Sequence, residues 1–443
     1  MSLGSSLADK FATGAGRVGV IGLGYVGLPL CIEFSRKLAV IGFDIDEEKV
    51  ARLKKGESYI GHISGDLVLE LAESGRFEAT TDFSRLSEPD AIVICVPTPL
   101  GRGRTPDLSY VERTAETIAE HMREGQLVSL ESTTYPGTTE EVLKPILERS
   151  GLKSGKDFLV AFSPEREDPG NPKFSAGNIP KVVGGDGPEA VKAAVELYKC
   201  MTEKVVPVSS PAAAEATKIL ENTYRAINIA LVNDLKLIFE KMGIDVWEVI
   251  EAAKTKPFGF HPFYPGPGWG GHCIPIDPFY LAWKANKLGV DARFIELAGA
   301  VNVEMINHVI ERTEQALAGR GKKLVEARVL ILGAAYKPDV DDDRESPALE
   351  LMGLLKRRGA EISYSDPHVA RLHPGREHSF TLESVELTPQ NLAGFDAAVL
   401  VTDHKAFDYA AILEHAPLIV DTRNAFERNL GDRAAQSGKI IKA

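Results

Sequence analysis

The stretch that most narrows what this chain can fold into is RVGVIGLGYVGLPL, from Arg17 to Leu30. A short apolar strand runs into Gly22, Gly24 and Gly27 and then into a helix start, which is a dinucleotide-binding turn in its proper strand–turn–helix context. The first glycine allows the tight turn. The second lets a pyrophosphate approach the backbone around Tyr25 and Val26, and the third lets helix and strand pack closely, with helix N-terminal amides facing the phosphates. A second strand, AVIGFDID, ends in Asp44, 17 residues after Gly27. A carboxylate there holds the adenosine ribose hydroxyls and repels a 2′-phosphate. No arginine follows at once, so NAD is expected rather than NADP, and Lys49 is counted among the residues that bind it.

The plan then repeats. DAIVICVPTPL (Asp90 to Leu100), LVSLESTTYPGTTEE (Leu127 to Glu141) and FLVAFSPEREDPGN (Phe158 to Asn171) each read as a buried parallel strand ending in a polar turn. Ligands in open α/β sheets sit outside the carboxyl ends of the strands, where Pro97, Thr98, Ser132, Thr133, Glu165 and Arg166 fall. Thr138 and Thr139 read better as helix caps, and the charged run through Glu167 reads as either solvated surface or site.

From Pro211 to Met242 the chain reads as one long helix, with Ala213, Ala216, Leu220, Ile227, Leu231, Leu235 and Ile238 recurring at three- and four-residue steps. Lys218 and Asn222 share one face of it, a turn apart, where they can hold a sugar hydroxyl or a developing oxyanion. A shorter helix follows from Val246 to Ala253. GPGWGGHCIPIDPFYL (Gly266 to Leu281) comes next and sets Cys273 directly behind a glycine-dense loop, four residues ahead of Asp277. Backbone of that kind approaches a ligand closely. Cys273 is then either a small buried hydrophobe or a thiol presented to a bound molecule. Asp277 falls at the cap of a new helix, a role that does not exclude chemistry. His272 reads as a loop hydrogen-bonder, and no metal site is expected.

ARVLILGAAYKPDVDDDRESPALELMGLLKRRGAEISYSDPH (Ala327 to His368) repeats strand–turn–helix–strand without GxGxxG, so it reads as a second Rossmann-like half for a different nucleotide ligand. Lys337 and Arg344 supply local positive charge there. The acidic run Asp339 to Asp343 reads as a solvated loop before a cation site. With 443 residues the chain exceeds one ordinary core, and with a net charge of −12 it is unsuited to nucleic acid or an anionic membrane. Cys31, Cys95, Cys200 and Cys273 lack metal-ligand spacing and read as reduced thiols of a cytoplasmic protein. No apolar run is long enough to span a bilayer, and no signal-peptide pattern is present. The reading is therefore α/β: two Rossmann-like doubly wound domains joined by a long central helix and helical domain. Residues 1–16 are a flexible lead, 17–208 the NAD-binding domain, 209–317 the central domain and 318–443 the second nucleotide domain.

Taken together, GLGYVG at 22–27, ESTTYPGT at 131–138, SPERE at 163–167, Lys218 with Asn222, GGHC with Asp277, and KPDVDDDRES at 337–346 resemble the UDP-glucose/GDP-mannose dehydrogenase family. Within it, GPGWGGHCIPIDPFYL preceded by KPFGFHPFYP is most similar to the bacterial UDP-N-acetylglucosamine 6-dehydrogenases. UDP-glucose members typically carry GGSC, and an arginine that many of them place well upstream of the cysteine has no counterpart near Pro257. The resemblance implies two successive NAD-dependent oxidations of a sugar C6 alcohol to a carboxylate. Cys273 would add to the intermediate aldehyde, and the resulting thioester would then be hydrolysed. It implies Lys218 and Asp277 in proton removal, Lys218 and Asn222 on oxyanions, Glu165 as base for hydrolysis and Thr133 ordering water. Phe263, Tyr264, Gly270, Tyr336, Lys337, Glu165 and Arg166 would meet the UDP-sugar. Arg344 and Thr133 would serve the NAD side, and the central helix implies a homodimer or larger. Two other readings compete: a two-electron dehydrogenase of similar layout, and a non-catalytic nucleotide-binding sensor.

Overall fold

Val- and Ile-rich runs between glycine turns become strands buried on both faces, the pattern a parallel sheet requires. The computed structural model describes residues 1–61, 63–166, 177–271, 274–374 and 380–443. The chain divides into two units, residues 1–221 with 279–291 and residues 222–278 with 292–443. In the first unit, β1 (Arg17–Ile21), β2 (Ala39–Phe43), β3 (Phe77–Thr80), β4 (Ala91–Ile94), β5 (Leu127–Leu130), β6 (Leu159–Phe162), β7 (Lys181–Gly185) and β8 (Val205–Val208) form one sheet. Its order is β3-β2-β1-β4-β5-β6-β7-β8. Neighbours are parallel except β6 and β7. Strand direction of growth reverses between β1 and β4, which opens the crevice a dinucleotide occupies in such sheets.

Alternation along the strands builds the two faces. Val18, Val20 and Val93 join Leu28, Phe34 and Leu197 in one core. Ile21, Ile92 and Ile94 join Val111, Ala115 and Ile118 in the other.

The first residues are not a flexible lead. Leu3–Ala12 is a helix, with Ser2 capping it by accepting from the Ser5 amide. Leu7 and Phe11, 2% and 1% exposed, enter the first core. Lys10 pairs with Asp90 at 2.7 Å. The Gly, Ser and Ala content suggested a loose tail, but apolar residues one turn apart suffice to dock it. Burying Leu7 and Phe11 stabilises by about 1.5–3 kcal/mol each.

The second unit holds β9 (Arg328–Leu332), β10 (Glu361–Ser365), β11 (Arg371–Leu372), β12 (Leu382–Glu383), β13 (Ala397–Leu400), β14 (Ile419–Asp421) and β15 (Ile440–Lys442). Strands β10-β9-β13-β14-β15 form a parallel sheet, and β11 pairs antiparallel with β12. Val329, Ile331 and Val399 pack with Leu351 and Leu355 on one face, and Leu330, Leu332 and Leu400 with Ile412 and Phe426 on the other.

The long helix Pro211–Met242 has 32 residues, about 48 Å at 1.5 Å per residue. The unit boundary falls inside it, after Glu221. Its period was legible but its buried face was not. Ala216, Leu220, Leu231 and Ile238 of the apolar series are exposed, while Ala214, Ile219, Ala226, Ala230 and Val232 are buried beside polar Lys218, Asn222, Asn233 and Lys236. Lys236 is 5% exposed, and its Nζ has no hydrogen-bond partner among the described residues. Among those residues no helix is long and apolar enough to cross a membrane.

Candidate active site

In the first unit the glycine turn closes as its sequence requires. A Cβ at Gly27 would sit 1.8 Å from the Gly22 carbonyl oxygen, so only glycine lets the helix start this close to β1. A Cβ at Gly24 would meet nothing within 4 Å. Val26 at the N-cap of the helix Gly27–Ser35 provides no side-chain capping bond. Tyr25 and Val26 are half-buried. Asp44, at the end of β2, accepts from the Leu23 amide at 2.8 Å and the Asp46 amide at 3.0 Å, with Lys49 Nζ 3.8 Å away. An open turn, an uncapped helix N-terminus and a carboxylate with accepting capacity to spare fit NAD.

Beyond β4, Pro97 is exposed and Thr98 is 6% exposed. The Tyr280 hydroxyl donates to the Thr98 carbonyl. Ser132 is used structurally, donating to the Val96 carbonyl at 2.7 Å, and Thr133 after it is half-buried. Neither Thr138 nor Thr139 caps a helix with its side chain: the Thr138 hydroxyl donates to the Tyr135 carbonyl at 2.8 Å, and Thr139 belongs to a buried cluster around Glu215. Glu215 accepts from the Gly137 amide at 2.5 Å, the Thr139 amide at 2.8 Å and the Thr139 hydroxyl at 2.6 Å. Burial raises the Glu215 carboxyl above its ordinary range, against these three donors.

Glu165 follows β6. One of its oxygens accepts from the Arg166 amide at 2.6 Å, and the other lies 3.3 Å from Lys181 Nζ. Lys181, 3% exposed at the start of β7, also meets Glu131 at 2.6 Å. The Arg166 guanidinium is turned to Glu221, at 2.6 and 3.3 Å, and to the Pro180 carbonyl at 2.7 Å. Lys218 is buried. Glu131, Lys181 and Glu215 carried no readable signal, because each matters only through partners tens of residues away.

In the second unit, Asn222 and Asp277 are each 3% exposed, and Asn222 Nδ2 donates to Asp277 Oδ2 at 2.5 Å. Asp277 opens the helix Asp277–Lys287. The glycine loop is tethered to the long helix, since Asn233 Oδ1 accepts from the Gly266 amide at 3.0 Å and Asn233 Nδ2 reaches Asn302 Oδ1 at 3.4 Å. It packs on the second sheet's first turn. At Gly271, φ is +88° and a Cβ would lie 2.8 Å from the Tyr336 ring. At Gly270 a Cβ would lie 2.7 Å from Pro347. Tyr336, Gly270 and Pro347 therefore meet. Cys273, His272 and Glu167 lie outside the described residues.

Phe263 packs edge-on to Tyr224 at 5.8 Å. Tyr264 stacks on Trp247 at 5.8 Å and donates to Glu251 at 2.6 Å. Lys337 is half-buried beside Tyr336. Arg344 is engaged with Asp342 through three hydrogen bonds. Arg423, which the sequence did not single out, places its guanidinium 2.3 Å from where a Gly266 Cβ would be and donates to the Val401 carbonyl at 2.8 Å. It borders a cleft of about 700 Å³ with Tyr264 and Trp247.

Asp366 ends β10 as Asp44 ends β2. It accepts from the amides of Ala334 (2.7 Å), Ala335 (2.9 Å), His368 (2.8 Å) and Val369 (3.0 Å), and from His404 Nε2 at 2.9 Å. Burial would raise this carboxyl, but His404 and the amides hold it below its ordinary range. His404, Asp339 and His368 bring ligand atoms within 4.8 Å of one another. They do not make an open metal site, because His404 Nδ1 accepts from the Asp339 amide at 3.0 Å while Nε2 donates to Asp366.

Profiles of the UDP-glucose/GDP-mannose dehydrogenase family match the chain in succession: the NAD binding domain over residues 16–202, the central domain over 212–304 and the UDP binding domain over 330–428. UDP-N-acetyl-D-glucosamine 6-dehydrogenase of Pseudomonas aeruginosa is 36% identical over 393 residues, 88% of this chain and 91% of that protein. UDP-N-acetyl-D-mannosamine dehydrogenase of Pyrococcus horikoshii is 36% identical over 417 residues, covering 92% and 95%. The solved structure of the Pyrococcus horikoshii UDP-D-ManNAc dehydrogenase matches with a TM-score of 0.83 at 34% identity, over 92% of this chain and 96% of that one. An open dinucleotide turn, a second nucleotide half and these three profiles in order make the chain a member of the UDP-glucose/GDP-mannose dehydrogenase family, an NAD-dependent UDP-sugar dehydrogenase.

Proposed function

We propose that the protein oxidises the C6 alcohol of UDP-N-acetylglucosamine to the carboxylate in two successive two-electron steps. Bound NAD supplies the oxidant for each. The observation that carries this reading is the buried Asn222–Asp277 pair, with Asp277 four residues beyond Cys273 in the sequence. In the first step C6 loses a hydride and its hydroxyl loses a proton, with Asp277 and Lys218 assisting proton removal. The Cys273 sulfur then bonds to the aldehyde carbon, and the thiol proton passes to the aldehyde oxygen. Lys218 and the Asn222 amide stabilise oxygen as charge develops on it. Loss of a second hydride and the hydroxyl proton gives a thioester. Water, ordered by Thr133, forms the new C–O bond as the C–S bond breaks. Glu165 takes the water's proton, and Cys273 leaves as thiolate.

Tyr336, Lys337, Gly270, Phe263 and Tyr264 are assigned to the UDP-sugar, and Arg423 beside the glycine loop joins them as a cation for its diphosphate. Arg344 would serve NAD after releasing Asp342. The preference for the N-acetylglucosamine sugar rests on the GPGWGGHC motif, and the N-acetylmannosamine epimer is the second reading, favoured by the Pyrococcus horikoshii relative. Leu220, Tyr224, Leu231, Ile238 and Met242, exposed at heptad-like spacing on one helix, support a homodimer. Free Cys31, Cys95 and Cys200 support a cytoplasmic setting.

The test is NADH formed per sugar consumed, across UDP-N-acetylglucosamine, its epimers and UDP-glucose. Two NADH per UDP-N-acetylglucosamine, with slow turnover of the others, is expected. One NADH per sugar would favour a two-electron enzyme, faster turnover of the mannosamine epimer would move the substrate, and no turnover would leave a sensor.

A further inference from the structure

Glu165 does not stand alone at the end of β6. Behind it Lys181 bridges two carboxylates, Glu131 at 2.6 Å and Glu165 at 3.3 Å, and donates to the Pro164 carbonyl at 3.3 Å. Lys181 and Glu131 are 3% and 1% exposed, so water does little to screen them. Nothing in the reaction requires either side chain to touch substrate. A buried lysine between two acids is expensive to desolvate and is weak evidence for stability on its own.

We propose that Lys181, balanced by Glu131, is the positioning residue that keeps Glu165 ionised and aimed as the base for thioester hydrolysis. The proposal rests on the reading of Glu165 given above. Among the contacts that hold the carboxylate are the Arg166 amide on one oxygen and Lys181 on the other. Among the described residues, three further side chains face this cluster or border it. Arg166 directs its guanidinium to Glu221 instead. Tyr198 lies beneath Lys181, whose Nζ is 5.5 Å from the ring centroid, and its hydroxyl bonds Ser129 at 2.9 Å. Cys95 also faces the cluster. Burial keeps Cys95 and Tyr198 neutral by raising both well above their ordinary values. Burial alone would lower Lys181, but Glu131 and Glu165 overcome it and hold the ammonium charged. Glu131 is raised by burial, with Lys181 opposing. The lysine charge is thus divided between two acids, Glu131 at 2.6 Å and Glu165 at 3.3 Å.

Such an arrangement predicts opposite effects from removing its two members. A base works only when ionised, so its activity is lost as pH falls through its titration. Lys181→Met removes the favouring cation and moves the acidic limb of turnover to higher pH, by at least about one pH unit, the lower end of what a neighbouring opposite charge does. Glu131→Gln leaves the lysine charge to Glu165 alone and moves the limb to lower pH. Lys181→Arg restores the wild-type limb.

The experiment measures kcat against pH for the full-length enzyme with the sugar nucleotide that wild type turns over. Intact-mass measurement of the Cys273 adduct at each pH accompanies it. Adduct is expected to accumulate in Lys181→Met at neutral pH and to clear at higher pH, with KM within about twofold of wild type. A purely structural lysine would lower activity without moving the limb, and limbs of Lys181→Met and Glu131→Gln that superimpose on wild type overturn the proposal. If Lys181→Met does not fold, Glu131→Gln alone decides, an unmoved limb refuting it. Glu165→Gln separates the two layers: absence of accumulated adduct in that variant sinks the role of Glu165 itself.

Discussion

Lys236 gives the sharpest quantitative test of the fold's energetics. It is 5% exposed on the long helix, and its Nζ has no hydrogen-bond partner among the described residues. Desolvation lowers it from an ordinary 10.5 to about 8, with Glu240 and Asp421 opposing and Arg423 and Arg312 assisting. At about 1.4 kcal/mol per pH unit, that difference means the native protein carries about 3 kcal/mol of penalty at pH 7. The sign follows from proton counts. Between 8 and 10.5 the unfolded chain binds a proton that the native state does not, so stability rises with pH across that window. Lys236→Met removes the penalty and keeps the volume. Glu240 is not orphaned by the change, since His308 and Arg312 remain 3.4 and 3.5 Å away. The variant is therefore expected to be more stable at pH 7 by about 3 kcal/mol, an advantage that shrinks toward zero by pH 10.5. Urea unfolding followed by Trp247 fluorescence, at pH 7 and at steps to pH 10.5, reads both quantities. A variant no more stable than wild type at pH 7, or a difference that ignores pH, would refute the reasoning.

Phe11→Ala should destabilise the first unit by about 3–5 kcal/mol, the range for a buried aromatic truncated in a core, as measured by thermal unfolding; a loose N-terminal tail would show no change. Asp44→Ala should weaken NAD binding by about tenfold or more through loss of charge-assisted acceptance from the ribose and raise the ratio of NADP to NAD use, both read from steady-state kinetics. Cys273→Ser should yield no carboxylate and at most one NADH per sugar, assayed by product chromatography, and full carboxylate formation would remove the thiol from the mechanism.

Local chemistry was the legible part. Gly22, Gly24, Gly27 and Asp44 lie within one strand–turn–helix–strand unit, so their placement was readable from spacing. Asn222 and Asp277 were each readable, and the fold adds the bond between them. The periodicity of the long helix was correct, but periodicity cannot say what covers a face. The regular Leu220, Leu231 and Ile238 series lies outward, and the inward face mixes Ala226 and Ala230 with Asn233 and Lys236. Leu7 and Phe11 were hidden by small neighbours whose average composition resembles a linker. Glu131, Lys181, Asn233 and Arg423 were silent because long-range contacts alone give them meaning. Lys181 reaches Glu131 across 50 positions, and no window along the sequence joins them.

The two acids that end β2 and β10 have a consequence for how the enzyme sorts its nucleotides. A carboxylate offers about four lone-pair directions. Asp44 fills two with the amides of Leu23 and Asp46, which leaves room for further donors. Asp366, at the matching place in the second sheet, already takes five donors: four amides and His404. An adenosine ribose arriving there finds no acceptor left. Sister crevices of one architecture can thus be told apart by vacancy rather than by repulsion, and a cell rich in NAD would not crowd the sugar nucleotide from its seat.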